Sequence, residues 1–206
     1  MQQQVNKIDE LFQWLTRLAF LNILWIGASI AGLFVVGSFP ALTSMLTVCR
    51  KWIIEGTEIP VFKTFMNAFK QDFWKVNIIG WVLLISAVIL YINFELLMNG
   101  IIDFSPIVVF AYYFLVILFA VVAMNIFPLY VHYDTPLFNL FKNAVVIGFA
   151  RIPITLAFFV LIGGVIYFSL LVPAVILFFS GSLLSFTIMR IMLLTTDKID
   201  NRKQTA

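Results

Sequence analysis

The stretch from Val76 to Leu97 carries one charge, Glu95 near its end, and the stretches 106–131, 154–171 and 174–195 carry at most one each. An apolar run of about 20 residues is the length that carries a helix across the roughly 30 Å of bilayer hydrocarbon. In lipid the backbone must satisfy its own polar groups, and a helix does so within one segment. Composition separates this reading from that of helices buried in a large soluble core. The chain is 63% hydrophobic and 11% charged, against about 45–50% and about 25% in soluble domains. So few charges cannot clothe a water-facing surface, and the lipid bilayer is the first partner expected. The fold expected is an all-α membrane protein, a six-transmembrane helix bundle forming one domain over residues 1–206.

The remaining spans are placed at about 18–38 and 39–54, giving a set completed by 76–97, 106–131, 154–171 and 174–195. The break between the first two is expected at Phe39–Pro40, because proline disfavours helical geometry at the residue before it. Gly37 and Ser38 support a turn there. The second run is short, roughly 24 Å as a helix. It spans if Arg50 and Lys51 reach the headgroups, or it enters and returns as a re-entrant segment; both readings stay open. Pro173 marks a further turn, and Gly100, Asp103 and Pro106 another. Asp9 and Glu10 lie in the N-terminal segment without a small-residue cleavage site after the first run, so a cleaved signal peptide is not expected.

Three segments read as amphipathic surface helices, at about 5–17, 61–74 and 136–150. In the first, Val5, Ile8, Phe12, Leu15 and Ala19 recur at helical spacing, and the segment is expected to run into the first span. In the second, Phe62, Phe65, Met66, Phe69 and Phe73 fall opposite Lys63, Asn67, Lys70 and Gln71, as in a helix lying in the interface plane. Trp74 and Lys75 would then anchor the next span. In the third, Thr135 and Pro136 suit a helix start, and Phe138, Phe141, Val145 and Phe149 line one face, with Lys142 beside them and Arg151 at the close. The candidate interface or membrane-surface residues are therefore Lys63, Phe65, Phe69, Lys70, Trp74, Phe138, Phe141, Lys142 and Arg151.

Charge placement sets the expected orientation. With the N-terminus inside, the outer loops fall near 37–41, 98–105 and 172–174, and none of the 13 Lys and Arg residues lies in them. Positive residues gather on the cytoplasmic side of membrane proteins. A multi-pass protein of the cell membrane with both termini cytoplasmic is the expectation. The net charge of +3 is absorbed by this pattern, so nucleic acid is not expected as a partner.

Ile59–Lys70 and Thr135–Val146 align at Pro60/Pro136, Phe62/Phe138, Phe65/Phe141, Asn67/Asn143 and Ala68/Ala144. The spans before them each hold a Phe-Pro pair, Phe39–Pro40 and Phe127–Pro128. The match reads either as a parallel internal repeat about an axis along the membrane normal, or as two Phe-rich helices alike by composition alone.

Catalytic chemistry finds little to work with. One His and one Cys do not build a usual zinc site, and no phosphate-binding or nucleophile motif occurs. No cofactor and no enzymatic activity are expected. His132 with Asp134 and Tyr130 suits the end of a span better than an acid–base pair, and Cys49 suits packing. No span places a charge at its centre, which disfavours ion-coupled transport. The candidate intramembrane polar residues are Asn22, Asn77 and Asn125. Asn125 reads as an interhelical hydrogen bond or as part of a polar cavity. Ala28-x-x-x-Gly32 and Gly181-x-x-x-Ser185 read as close helix approaches.

The run FPA at 39–41, RKWI at 50–53, PVFKTF at 60–65 and FKQDFWKVN at 69–77 resembles the YesL-like family of bacterial integral membrane proteins. LFQWLTRLAFLNILW at 11–25 resembles the start of that family. The resemblance implies the cytoplasmic membrane and, since members are often encoded near sugar-uptake genes, a process linked to carbohydrate utilisation. It carries over no catalytic residues. The function expected is a non-enzymatic accessory component linked to carbohydrate uptake, with sugar-permease subunits or further copies of the chain as partners. The alternative is a transporter or channel for a small neutral solute such as a sugar.

Overall fold

Breaks in the backbone hydrogen-bond ladder decide where each helix of this chain stops. The computed structural model describes residues 2–99, 105–133, 135–172, 174 and 176–204, and the side chains of 8–99, 105–133, 135–172, 174 and 177–194. Asp134, Pro173, Gly100, Asp103 and the side chain of Val5, invoked above, lie outside these. No strand occurs among the described residues. The helices are α1 (Gln2–Ala31), α2 (Ser38–Ile54), α3 (Val61–Met98), α4 (Pro106–His132), α5 (Leu137–Ala150) and α6 (Ile152–Leu171). A π-helical turn, Ile176–Ser180, then leads into α7 (Gly181–Gln204). Among the described residues, five segments are long and apolar enough to cross a bilayer: Ile8–Ala31, α3, α4, α6 and Leu177–Leu194.

The chain forms two compact units, Met1–Phe73 with Phe158–Ala206, and Trp74–Ala157. In the first, α1, α2, the π turn and α7 pack on one another. The 17-residue α2 is the inner helix, with Pro40, Ala41, Ser44, Met45, Val48, Cys49 and Trp52 all buried. It runs back beside α1. Trp14 on α1 meets Trp52 edge-on, with ring centroids 5.7 Å apart, and the same indole meets Phe186 of α7 at 5.0 Å. The chain thus returns at the end of α2 to the level where α1 begins its apolar run.

The α1–α2 turn falls earlier than the proline suggests. α1 ends at Ala31, not near residue 38, and Pro40 stands third in α2. A first-turn proline costs nothing, since that N–H would be orphaned anyway. The reversal is made by Gly32 and Gly37. A Cβ on Gly32 would collide with Gly37 Cα, and one on Gly37 would stand 2.7 Å from Ala28 O. Between them Leu33 and Phe34 take left-handed φ of 56° and 59°, a conformation that costs an L-residue about 1–2 kcal/mol. The Ala28–Gly32 pair therefore serves a turn and not a helix–helix contact.

Segment 5–17 runs into the first span as α1, in line with its sequence, whereas 61–74 is not a separate surface helix and runs into 76–97 as the uninterrupted α3. Change of composition suggested a boundary at Trp74, but α3 contains only Gly80. Nothing there breaks the ladder. At the aligned position in the other copy, Pro153 has no N–H to give. α5 therefore stops with Arg151 at φ −130°, ψ 48°, and Pro153 takes its place in the first turn of α6. The two similar segments thus have different continuations.

In the second unit α5 packs on α4. Its buried stripe is Leu140, Ala144 and Gly148, not the phenylalanine face, and Phe138 is 83% exposed. Small residues win here because they let the helices close. A Cβ on Gly148 would collide with Val121 Cγ1 and lie 3.3 Å from Asn125 Nδ2. Gly148→Leu should therefore lower stability by about 1–3 kcal/mol, read by thermal unfolding in detergent followed by circular dichroism. Gly163→Ala, where a Cβ meets nothing within 4 Å, should leave stability at or above that of the wild type.

Candidate functional site

Polar side chains on α2 and α3 meet across an open cleft of about 460 Å³. Thr47, Lys51 and Glu55 recur at i, i+4 and i+8, so they share one side of α2 and its C-cap. Pro60, Lys63, Thr64, Asn67, Gln71 and Asp72 form the facing wall at the start of α3. Two ammonium groups, two carboxylates, two hydroxyls and two amides converge there. The polar face read from the sequence, Lys63, Asn67 and Gln71, is exposed and lines this cleft, while Lys70 is exposed outside it. The spacing of Lys51 and Glu55 was the available signal for the opposite wall.

A surface ion pair closes the α1 side of the same end. Arg17 donates to Glu58 Oε1 at 2.7 Å. Glu58 is 89% exposed, so water competes for it, and such pairs contribute about 0–1 kcal/mol. Behind the cleft, Phe65 is fully buried and stacks on Phe69 at 6.4 Å, which in turn meets Phe73 at 5.6 Å. Of the other candidate surface residues, Trp74 and Lys142 are exposed, and Phe141 and Arg151 are half-buried. Phe138, Phe141, Lys142 and Arg151 belong to the second unit, whereas the cleft belongs to the first.

Two of the intramembrane asparagines bind helices to one another. Asn22 is fully buried. It donates through Nδ2 to Leu177 O at 2.8 Å and accepts through Oδ1 from Ser182 N–H at 3.1 Å. The change from π to α geometry leaves that carbonyl and that N–H to be met from outside the helix. Gly181 makes room, since a Cβ there would stand 2.8 Å from Asn22 Oδ1. Asn125 donates to Val121 O at 2.8 Å and to Thr155 Oγ1 at 3.2 Å, and Thr155 donates on to Gly148 O at 3.1 Å. α4, α5 and α6 are joined by this chain, which is the interhelical role expected of Asn125. Asn77 is buried on α3. Gly181, read from its small-residue spacing as a close approach, has that role here, whereas Thr155 and Gly148 carry no isolated sequence signal, because each acts only through its partner. No cluster of metal-binding side chains occurs among the described residues.

Long apolar helices joined by buried amides, with charge collected at helix ends, define a multi-pass helical membrane protein. The chain belongs to the family described as "Protein of unknown function, DUF624", whose model matches residues 18–94. That match contains both walls of the cleft. The chain is 32% identical to "Uncharacterized protein YesL" of Bacillus subtilis (strain 168) over 199 residues, 97% of this chain and 94% of that protein. It is 33% identical to "Uncharacterized protein YteU" of the same organism over 193 residues, 91% and 84% of the two chains. "Uncharacterized protein YesV" is 30% identical over 173 residues, 84% and 83%. No solved structure matches the chain.

Asn22→Leu, which strands a buried carbonyl and a buried N–H, should destabilise the protein by about 1–3 kcal/mol in equilibrium unfolding from mixed detergent–SDS micelles. Asn93→Leu, whose exposed amide bonds only to Ile89 O one turn back, should change it by less than about 0.5 kcal/mol. Glu58→Gln should cost no more than about 1 kcal/mol, and that difference should shrink in 0.5 M salt on the order expected from screening.

Proposed function

We propose that the protein is a non-enzymatic accessory component of the cell membrane that works beside a carbohydrate-uptake system, with both termini in the cytoplasm. The observation that carries this reading is the separation of polar roles. Asn22 and Asn125 are engaged in fixing helix junctions, which leaves them no part in a polar path for a solute. The charged residues Lys51, Glu55, Lys63 and Asp72 instead line an open cleft at the end of α2. A partner's water-facing segment can reach such a cleft, and mixed charge at its rim sets register and partner choice.

Orientation supports the same arrangement. The end of the first unit that bears Arg17, Arg50, Lys51 and Lys63 is the basic end, and basic ends of membrane proteins face the cytoplasm. The link to sugars rests on the resemblance to a family whose members are often encoded near sugar-uptake genes.

The test is co-purification. Tagged protein extracted from its own membrane in mild detergent should bring down permease or ATPase subunits identifiable by mass spectrometry. Lys51→Glu with Lys63→Glu should reduce that recovery by about tenfold, the equivalent of losing roughly 1.4 kcal/mol, without loss of the folded protein. Recovery of the chain alone, with sugar uptake by proteoliposomes that contain nothing else, would overturn the accessory reading in favour of transport.

A further inference from the structure

The turn between α1 and α2 leaves no N–H for water. Every backbone N–H from Gly32 to Ser38 donates within the protein, at 2.6–3.2 Å, to carbonyls between Ala28 and Phe34. The serines on either side do likewise, Ser29 Oγ donating to Trp25 O and Ser38 Oγ to Phe34 O. From Gly32 to Gly37 the residues read Gly-Leu-Phe-Val-Val-Gly, without a polar side chain. Leu33, Phe34 and Val35 nevertheless point away from the protein, at 82%, 60% and 52% exposure.

The turn at the other end of α2 differs in both respects. Glu55, Thr57 and Glu58 make it polar, and the N–H groups of Gly56, Thr57, Glu58 and Ile59 make no hydrogen bond to protein. That is a turn completed by water. Backbone conformation sharpens the contrast. Glycine or asparagine takes a left-handed φ at least cost, yet Leu33 and Phe34 occupy it, at 56° and 59°. Bulky apolar side chains at such positions answer to the surrounding medium and not to the needs of the turn.

Length identifies that medium. Arg17 pairs with Glu58, itself 89% exposed, and Trp14 meets Trp52 at the same end, where indoles favour the headgroup level. The apolar run of α1 therefore enters the bilayer near Arg17, and Ile8–Ala31 crosses in full only by drawing that guanidinium into hydrocarbon. From Arg17 to Ala31 the helix rises about 21 Å, and from Ser38 to Arg50 α2 returns about 18 Å. With the turn included, the tip stands roughly 20–25 Å from the basic level, short of the ~30 Å of hydrocarbon. Irregular backbone is excluded from lipid because its N–H and C=O groups go unmet, and here no N–H does. We propose that α1 and α2 form a re-entrant hairpin whose tip, Leu33–Val35, is seated among the acyl chains of the outer leaflet and does not reach the water beyond. Orientation is unaffected, because a hairpin that turns back within the bilayer and one that crosses twice return the chain to the same side. This inference is independent of the cleft and of the accessory role.

Nitroxide labels read this depth directly. The full-length protein, with Cys49→Ala to remove its own thiol, would carry a label at Phe34→Cys and be placed in nanodiscs of dioleoyl phosphatidylglycerol. Spin relaxation would then be measured with molecular oxygen, which concentrates in hydrocarbon, and with a water-soluble nickel chelate. The label at position 34 should relax strongly with oxygen and be shielded from nickel. A label at Glu58→Cys should show the reverse. Val35→Cys, outside the left-handed pair, gives the same reading if Phe34→Cys does not fold. A tip label open to nickel would overturn the proposal by placing the turn in outer water. A tip label closed to both reagents would overturn it as well, since protein and not lipid would then cover the turn.

Discussion

In hydrocarbon a break in a helix's hydrogen-bond ladder has to be repaired by protein, because no water is present to do it. The π turn at Ile176–Ser180 makes such a break, and Asn22 repairs it from α1 by accepting from Ser182 N–H and donating to Leu177 O. That exchange fixes the α1–α7 contact at one height. The position of α2 follows from it, since α2 lies against both helices, and so does the level at which its last turn emerges beside Arg17. The cleft is placed by the same chain of contacts, because one of its walls is that last turn.

Close backbone approach does the remaining work. Apolar side chains gain little from helix association in lipid, so packing and hydrogen bonds must hold the helices together. Gly148 and Ala144 let α5 settle on α4 near enough for the Asn125–Thr155–Gly148 chain to form. Gly181 does the same for Asn22, and the Gly32–Gly37 contact folds α1 back on α2. For Gly148 with Asn125 and Gly181 with Asn22, the glycine and the amide act as a unit, and replacing either removes the reason for the other.

The distribution of polarity bears on function. Asn22 and Asn125 are bound to backbone or to Thr155, whereas the charged groups Lys51, Glu55, Lys63 and Asp72 line an open cleft. That distribution is what the accessory reading proposed above rests on. The phenylalanines divide along the same line, Phe65 buried and stacked behind the cleft, Phe138 turned outward.

The sequence by itself determined that this is an all-helical membrane protein and which end of each helix is basic, because hydropathy and charge act residue by residue and need no neighbours in space. It also marked Asn22 and Asn125 as unusual, and gave Asn125 its interhelical role. It did not reveal that 61–74 and 76–97 are one helix: the composition changes at Trp74, but only a glycine or proline would have interrupted the ladder. The meeting of the two cleft walls, the glycine beneath Asn125 and the burial of Leu140 in place of Phe138 were decided by tertiary structure alone. They depend on which helices come close enough to touch, and distance between helices is a property of packed pairs that no single helix encodes.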